Sequence, residues 1–106
     1  MRFCMERDKQ KEEGEKKMLY VAMLSIIDQD LNAKVRPAHL DYINDLYKQG
    51  KVVMAGPFTD KQGGLVIYKA DTQEEALRLA QADPVVKEGA RTLELREWSP
   101  LNFPLG

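Results

Sequence analysis

Residues 51–70 read KVVMAGPFTDKQGGLVIYKA. Two apolar runs rich in β-branched residues, Lys51–Phe58 and Leu65–Ala70, flank the polar segment Thr59-Asp60-Lys61-Gln62-Gly63-Gly64, which carries the glycines a hairpin turn needs. The middle of the chain is therefore a β-hairpin. Gly56-Pro57 places its first strand at a sheet edge or a bulge, because proline cannot donate to a central ladder.

Before the hairpin, the spacing predicts a helix from Ala33 or Arg36 to Gln49. Pro37 suits its first turn, where a missing N–H matters least. Leu40, Ile43, Leu46 and Tyr47 recur at helical spacing and form one apolar stripe. Gly50 is a natural stop. Asp28 to Asn32 is mostly polar and reads as a loop. Leu19–Ile27 (LYVAMLSII) is apolar apart from Tyr20 and Ser25, which suits a strand covered on both faces. After the hairpin, Asp71 or Thr72 caps a second helix, and Glu74 or Glu75 suits the positive end of its dipole. Ala76, Leu77, Leu79 and Ala80 supply its buried face. Asp83-Pro84 ends it, because proline disfavours helical geometry in the residue before it. Val85–Gly89 reads as an irregular turn, and the alternation of Arg91–Trp98 (RTLELREW) as a fourth, half-exposed strand. The order β-α-β-β-α-β predicts an α+β, ferredoxin-like domain: a four-stranded antiparallel sheet with two helices on one face.

That domain spans residues 18–98, followed by an extended tail, 99–106, with Pro100, Phe103, Pro104 and Leu105. Residues 1–17 differ. From Glu6 to Lys17 there is no hydrophobic residue, a composition that cannot offset the entropy of ordering. The leader is expected to be disordered or a solvated helix. Alternatively it is a start-site artefact: Glu13-Gly14-Glu15-Lys16-Lys17 is what a purine-rich ribosome-binding stretch would encode in frame, with Met18 as the natural start.

At 106 residues the chain holds one core of ordinary size. Hydrophobic residues make up 43% and charged residues 31%, as in a soluble globular protein. Sixteen basic and seventeen acidic residues give a net charge of -1, which offers no footprint for nucleic acid or an anionic membrane. Neither a membrane span nor the apolar centre of a signal peptide is present, so the expected location is the cytoplasm. One cysteine, Cys4, excludes an intrachain disulfide, and with no histidine nearby it is not expected to be catalytic. A single His and a single Cys, far apart, match no metal-ligand spacing. Two helices cover only one side of a sheet. Both alternating sets of the first strand are apolar (Leu19, Val21, Met23 and Ala22, Leu24, Ile26), so a homodimer packed sheet to sheet is expected.

Five residues stand out for chemistry. His39, the one histidine, opens the first helix at the margin of the apolar stripe, where an imidazole titrates near neutrality and can act as general base or acid, or is simply satisfied by a backbone carbonyl. Asp83 lies at the end of the second helix, either a capping carboxylate or a partner for His39. The helices run roughly antiparallel on one sheet face, so the two positions share one end of the domain. Arg36, one turn before His39, is either a surface charge or a fork for an anionic substrate oxygen. Ser25, a hydroxyl in an apolar strand, needs a partner from the backbone or from a substrate. Phe58, after Gly56-Pro57, shapes a pocket wall or merely follows the bend of an edge strand. No phosphate loop, dinucleotide fingerprint or nucleophile–base motif is present, and no cofactor is expected.

Arg36-x-x-His39, Gly50, Ala55-Gly56-Pro57, Gly63-Gly64, Glu75-Ala76, Asp83-Pro84 and Trp98, in that order and spacing, resemble the YciI-like (YCII-related) family from about Met18 to Trp98. The resemblance implies a fold similar to muconolactone isomerase and other dimeric α/β-barrel proteins, and a histidine–aspartate pair at His39 and Asp83. It also implies cofactor-free chemistry, one relative being a dehydrochlorinase of a chlorinated hydroxyhydroquinone. The implied function is a lyase or isomerase acting on a small cyclic or enolisable substrate. The alternatives are a non-catalytic dimeric module that binds a small ligand or a partner, and an oxygen-using monooxygenase, for which no flavin, haem or metal motif is present. One departure is Val85, where the family commonly has an aromatic residue.

Overall fold

The central hairpin forms β2 (Val52–Pro57) and β3 (Gly63–Ala70), and the elements around it fall in the expected order. The computed structural model describes residues 18–104. The expectations for the leader, for Cys4 and for the last two residues of the tail lie outside the described residues. β1 (Met18–Ile26) and β4 (Arg91–Trp98) complete a sheet of order β2-β3-β1-β4, antiparallel throughout. The helices α1 (Gln29–Lys48), α2 (Gln73–Gln81) and the short α3 (Pro84–Lys87) lie on one face. Among the described residues no helix is long and apolar enough to cross a membrane.

Four local readings need correction. First, α1 begins at Gln29, because Asp28 is extended and its Oδ1 accepts the Leu31 N–H at 3.0 Å; residues 28–32 are a cap and first turn, not a loop. Pro37 therefore lies inside the helix, where it removes the bond to the Ala33 carbonyl. Second, Ile43 and Leu46 are buried, but Leu40 and Tyr47 are exposed; the inward line of α1 is Asn32, His39, Ile43 and Leu46. On α2 likewise, Ala76 and Ala80 are buried while Leu77 is exposed. Third, β3 begins at Gly63 rather than Leu65, and the left-handed turn residue is Lys61. The glycines serve close approach instead: a Cβ on Gly63 would run into the Leu24 carbonyl oxygen, and one on Gly64 would lie 2.8 Å from the Gly56 carbonyl oxygen. β2 is an edge strand, with its register shift between Val52 and Met54 rather than at Gly56-Pro57. Fourth, residues 84–87 are helical, because Pro84 fits a first helical position and Asp83 caps it.

Alternation assigns the faces. Tyr20, Ala22 and Leu24 of β1 and Val66, Tyr68 and Ala70 of β3 point at the helices and form the core with Ile43, Leu46, Ala76, Ala80 and Val85. The opposite face carries Leu19, Val21, Met23, Leu65 and Ile67, flanked by Met54 on one edge strand and Trp98 on the other. Met23, Met54 and Trp98 are exposed there, although Ile67 is buried by its neighbours.

Candidate active site

His39 lies ten residues into α1, on the inward line, and is 7% exposed. Asp83 sits where α2 gives way to α3, and its carboxylate is fully buried. The antiparallel helices bring the two together: His39 Nδ1 lies 2.8 Å from both Oδ1 and Oδ2 of Asp83. Asp83 Oδ1 also accepts the Val85 N–H at 3.1 Å, so capping and pairing are carried by one side chain. An ionised carboxylate only accepts, so His39 donates from Nδ1 and its Nε2 is left outside the pair.

His39 forms part of the wall of a cavity of about 200 Å³ between α1 and the β2–β3 hairpin, lined also by Arg36, Ile43, Pro57, Gly64 and Arg91. Asp83 stands behind the imidazole rather than on the wall. A second cavity of about 560 Å³ adjoins it, lined by Asn32, Arg36, Pro57, Phe58, Lys61 and Arg91 among others. Arg36 thus borders both spaces and Phe58 the larger one. Ser25 does not join them: it pairs with Gly63 and Thr92 in the alternating set that faces away from the helices, and is exposed. Among the described residues no three His, Cys, Asp or Glu side chains group to hold a metal ion.

The family model of the YCII-related domain matches residues 3–99. The chain belongs to the YCII-related family. This YCII-related protein is 33% identical over 76 residues to the uncharacterized protein YjpA of Bacillus subtilis (strain 168), covering 72% of this chain and 89% of YjpA. Among solved structures it is similar to the 5-chloro-2-hydroxyhydroquinone dehydrochlorinase TftG of Burkholderia phenoliruptrix, in complex with 2,5-dihydroxybenzoquinone, with a TM-score of 0.67 and 21% identity over 77% of this chain and 94% of that one. It is also similar to a structure described as a putative antibiotic biosynthesis monooxygenase from Bacteroides thetaiotaomicron, with a TM-score of 0.56 and 21% identity over 87% of this chain and 96% of that one. Both are likenesses of fold. Val85, the departure from the family pattern, is fully buried in the core and does not line the cavity.

Two site residues of this YCII-related protein were not singled out from the sequence. Arg91, the first residue of β4, is 8% exposed and donates from Nε to Asn32 Oδ1 at 2.7 Å. A signal for it exists: Arg91 shares the alternating set of Leu93 and Leu95, the set facing the helices. Burial lowers the Arg91 pKa; Asp83 opposes that shift and Arg36 adds to it.

Tyr68, on the core face of β3, has a buried hydroxyl with no hydrogen-bond partner among the described residues, whereas the Tyr42 hydroxyl donates to the Leu79 carbonyl at 2.6 Å. Burial, then the charge of Asp83, then Tyr42 push the Tyr68 phenol well above the usual tyrosine value of 10.0. The folded state therefore holds a proton that the unfolded chain releases above about pH 10, and stability falls as pH rises through that range. Tyr68→Phe is expected to flatten this alkaline limb by up to about 1.4 kcal/mol per pH unit, with no loss of stability at pH 7 because an unpaired polar group is removed. Urea unfolding of both proteins from pH 7 to 11 measures this; parallel curves would show that Tyr68 does not titrate between the states.

Proposed function

We propose that this protein is a cofactor-independent lyase or isomerase in which His39 moves a proton on a small cyclic or enolisable substrate. The reading rests on the buried His39–Asp83 contact at 2.8 Å set behind a ring-sized cavity. Asp83 accepts the Nδ1–H and so fixes the tautomer that leaves the Nε2 lone pair free. Nε2 then takes a proton from a carbon or hydroxyl of the substrate. In an isomerisation the same proton returns at another position. In an elimination the electron pair it leaves forms the new double bond, and the leaving group departs as an anion. Arg36 holds the anionic oxygen that develops. The dehydrochlorinase of similar fold suggests hydroxylated, halogenated rings as the first class to try.

The test is hydrogen–deuterium exchange in D₂O, with halide release, over a panel of halogenated dihydroxybenzenes and cyclic enolisable ketones. Exchange well above the buffer rate is expected for at least one class. Saturable binding across the panel without exchange or turnover would replace the catalytic reading with that of a ligand-binding module.

The same reading seats a second copy of the chain on the open sheet face, where Met23, Met54 and Trp98 are exposed. Sedimentation at the dimer mass is expected, and a compact monomer at working concentration would remove it.

A further inference from the structure

Successive turns of α1 present Asn32, Arg36 and His39 along one stripe, spaced by four and three residues. Asn32 and His39 are buried, and Arg36 stands exposed between them. Across the cavity, Arg91 reaches in from β4, its guanidinium fixed by the bond from Nε to Asn32. That bond uses one of its five N–H donors. Gly64 leaves the space beside Nη1 open: a Cβ there would lie 3.5 Å from that nitrogen.

Among the described residues, neither guanidinium is ion-paired with a carboxylate. Asp83, the carboxylate whose charge reaches Arg91, is already committed to His39 and to the Val85 N–H. Burying the Arg91 cation is costly, the charge of Asp83 offsets only part of that cost, and a second cation beside it adds to it. An anion between the two would offset both.

We infer that Arg36 and Arg91 together form an oxyanion site at the junction of the two cavities, where the ligand of this protein places its anionic oxygen, phenolate, enolate or carboxylate, while its ring-sized body lies against His39. Both arginines line both cavities, so one bound group would touch both spaces. The smaller, at about 200 Å³, exceeds the roughly 150 Å³ that accommodates a benzene-sized ring. The larger, bordered by Phe58 and Lys61, leaves room for a further substituent. The inference deepens the acid–base reading and rests on it for where the reacting carbon lies; the oxyanion site itself does not require His39 to act.

The test titrates the full chain with benzoate, its neutral isostere benzyl alcohol, and inorganic phosphate at matched ionic strength, following the thermal midpoint and NMR chemical shifts. Benzoate is expected to raise the midpoint saturably while benzyl alcohol does not, and Arg91→Gln or Arg36→Gln to raise the half-saturating concentration by about tenfold or more. Saturable binding of phosphate as well, or of phosphate alone, also supports the oxyanion site and tells which oxyanion it prefers. Should Arg91→Gln fail to fold, Arg36→Gln, at an exposed position, carries the comparison. Benzoate and phosphate both acting no better than benzyl alcohol or sodium chloride, or half-saturation of the bound anion unmoved in Arg36→Gln, would overturn the inference. Benzoate binding without any deuterium exchange would leave this site standing and remove the catalytic reading; exchange without anion binding would do the reverse.

Discussion

Replacing His39 by Gln is expected to slow deuterium exchange by roughly a hundred- to ten-thousand-fold, the range of general acid–base catalysis, while the chain remains folded. The choice of Gln follows from burial. Alanine would leave the Asp83 carboxylate enclosed with no partner other than the Val85 N–H, a charge the interior does not tolerate well. A Gln amide can still donate to that carboxylate, but it has no basic nitrogen to take a proton at neutral pH. Exchange rate and thermal midpoint are measured on the same sample. A large fall in rate with a small shift in midpoint assigns the loss to chemistry. An unchanged rate takes His39 out of the mechanism, whatever happens to stability.

The fold was legible because its signals are local. The glycine-containing hairpin and two stretches of helical spacing order the elements, and each depends on neighbours within a few residues. What the sequence hid depends on distances set by the sheet. Leu40 has the spacing of a core residue, yet α1 stands off the edge strand there and Leu40 lines the cavity instead. The start of α1 was hidden because Pro37 is a stronger local signal than Asp28, although the Asp28 cap prevails once the helix is packed. Four residues of α3 are too few to show a period.

The same distinction applies to the site. His39 reads from the sequence as opening the first helix, but it lies midway along α1, because the Asp28 cap starts the helix early; the family resemblance, rather than a shared helix end, is what named His39 and Asp83 as a pair. Arg91 and Asn32 are 59 residues apart, and no local pattern joins them. Ser25 illustrates a parity problem. Both alternating sets of β1 are apolar, so the sequence does not say which set faces the helices; pairing with β3 decides it and turns Ser25 outward.

Asp83→Ala is expected to cost about 2–4 kcal/mol of stability. Two losses combine. The N-cap of α3 disappears, a change worth about 1 kcal/mol. The enclosed His39 Nδ1–H loses its acceptor, which costs about 1–3 kcal/mol. Asp83→Asn separates these from the charge. Its amide oxygen can still accept from Val85 or from His39, so it should lose well under half as much stability, measured as a urea midpoint at constant m-value. Its effect on chemistry should nevertheless be large, because a neutral amide holds the Nδ1–H tautomer weakly and offers no charge to stabilise the imidazolium formed when Nε2 takes a proton. A stable Asp83→Asn protein with a slowed exchange rate therefore assigns the carboxylate's charge to the proton transfer. The same protein at full rate would leave Asp83 as a capping residue that happens to touch an imidazole.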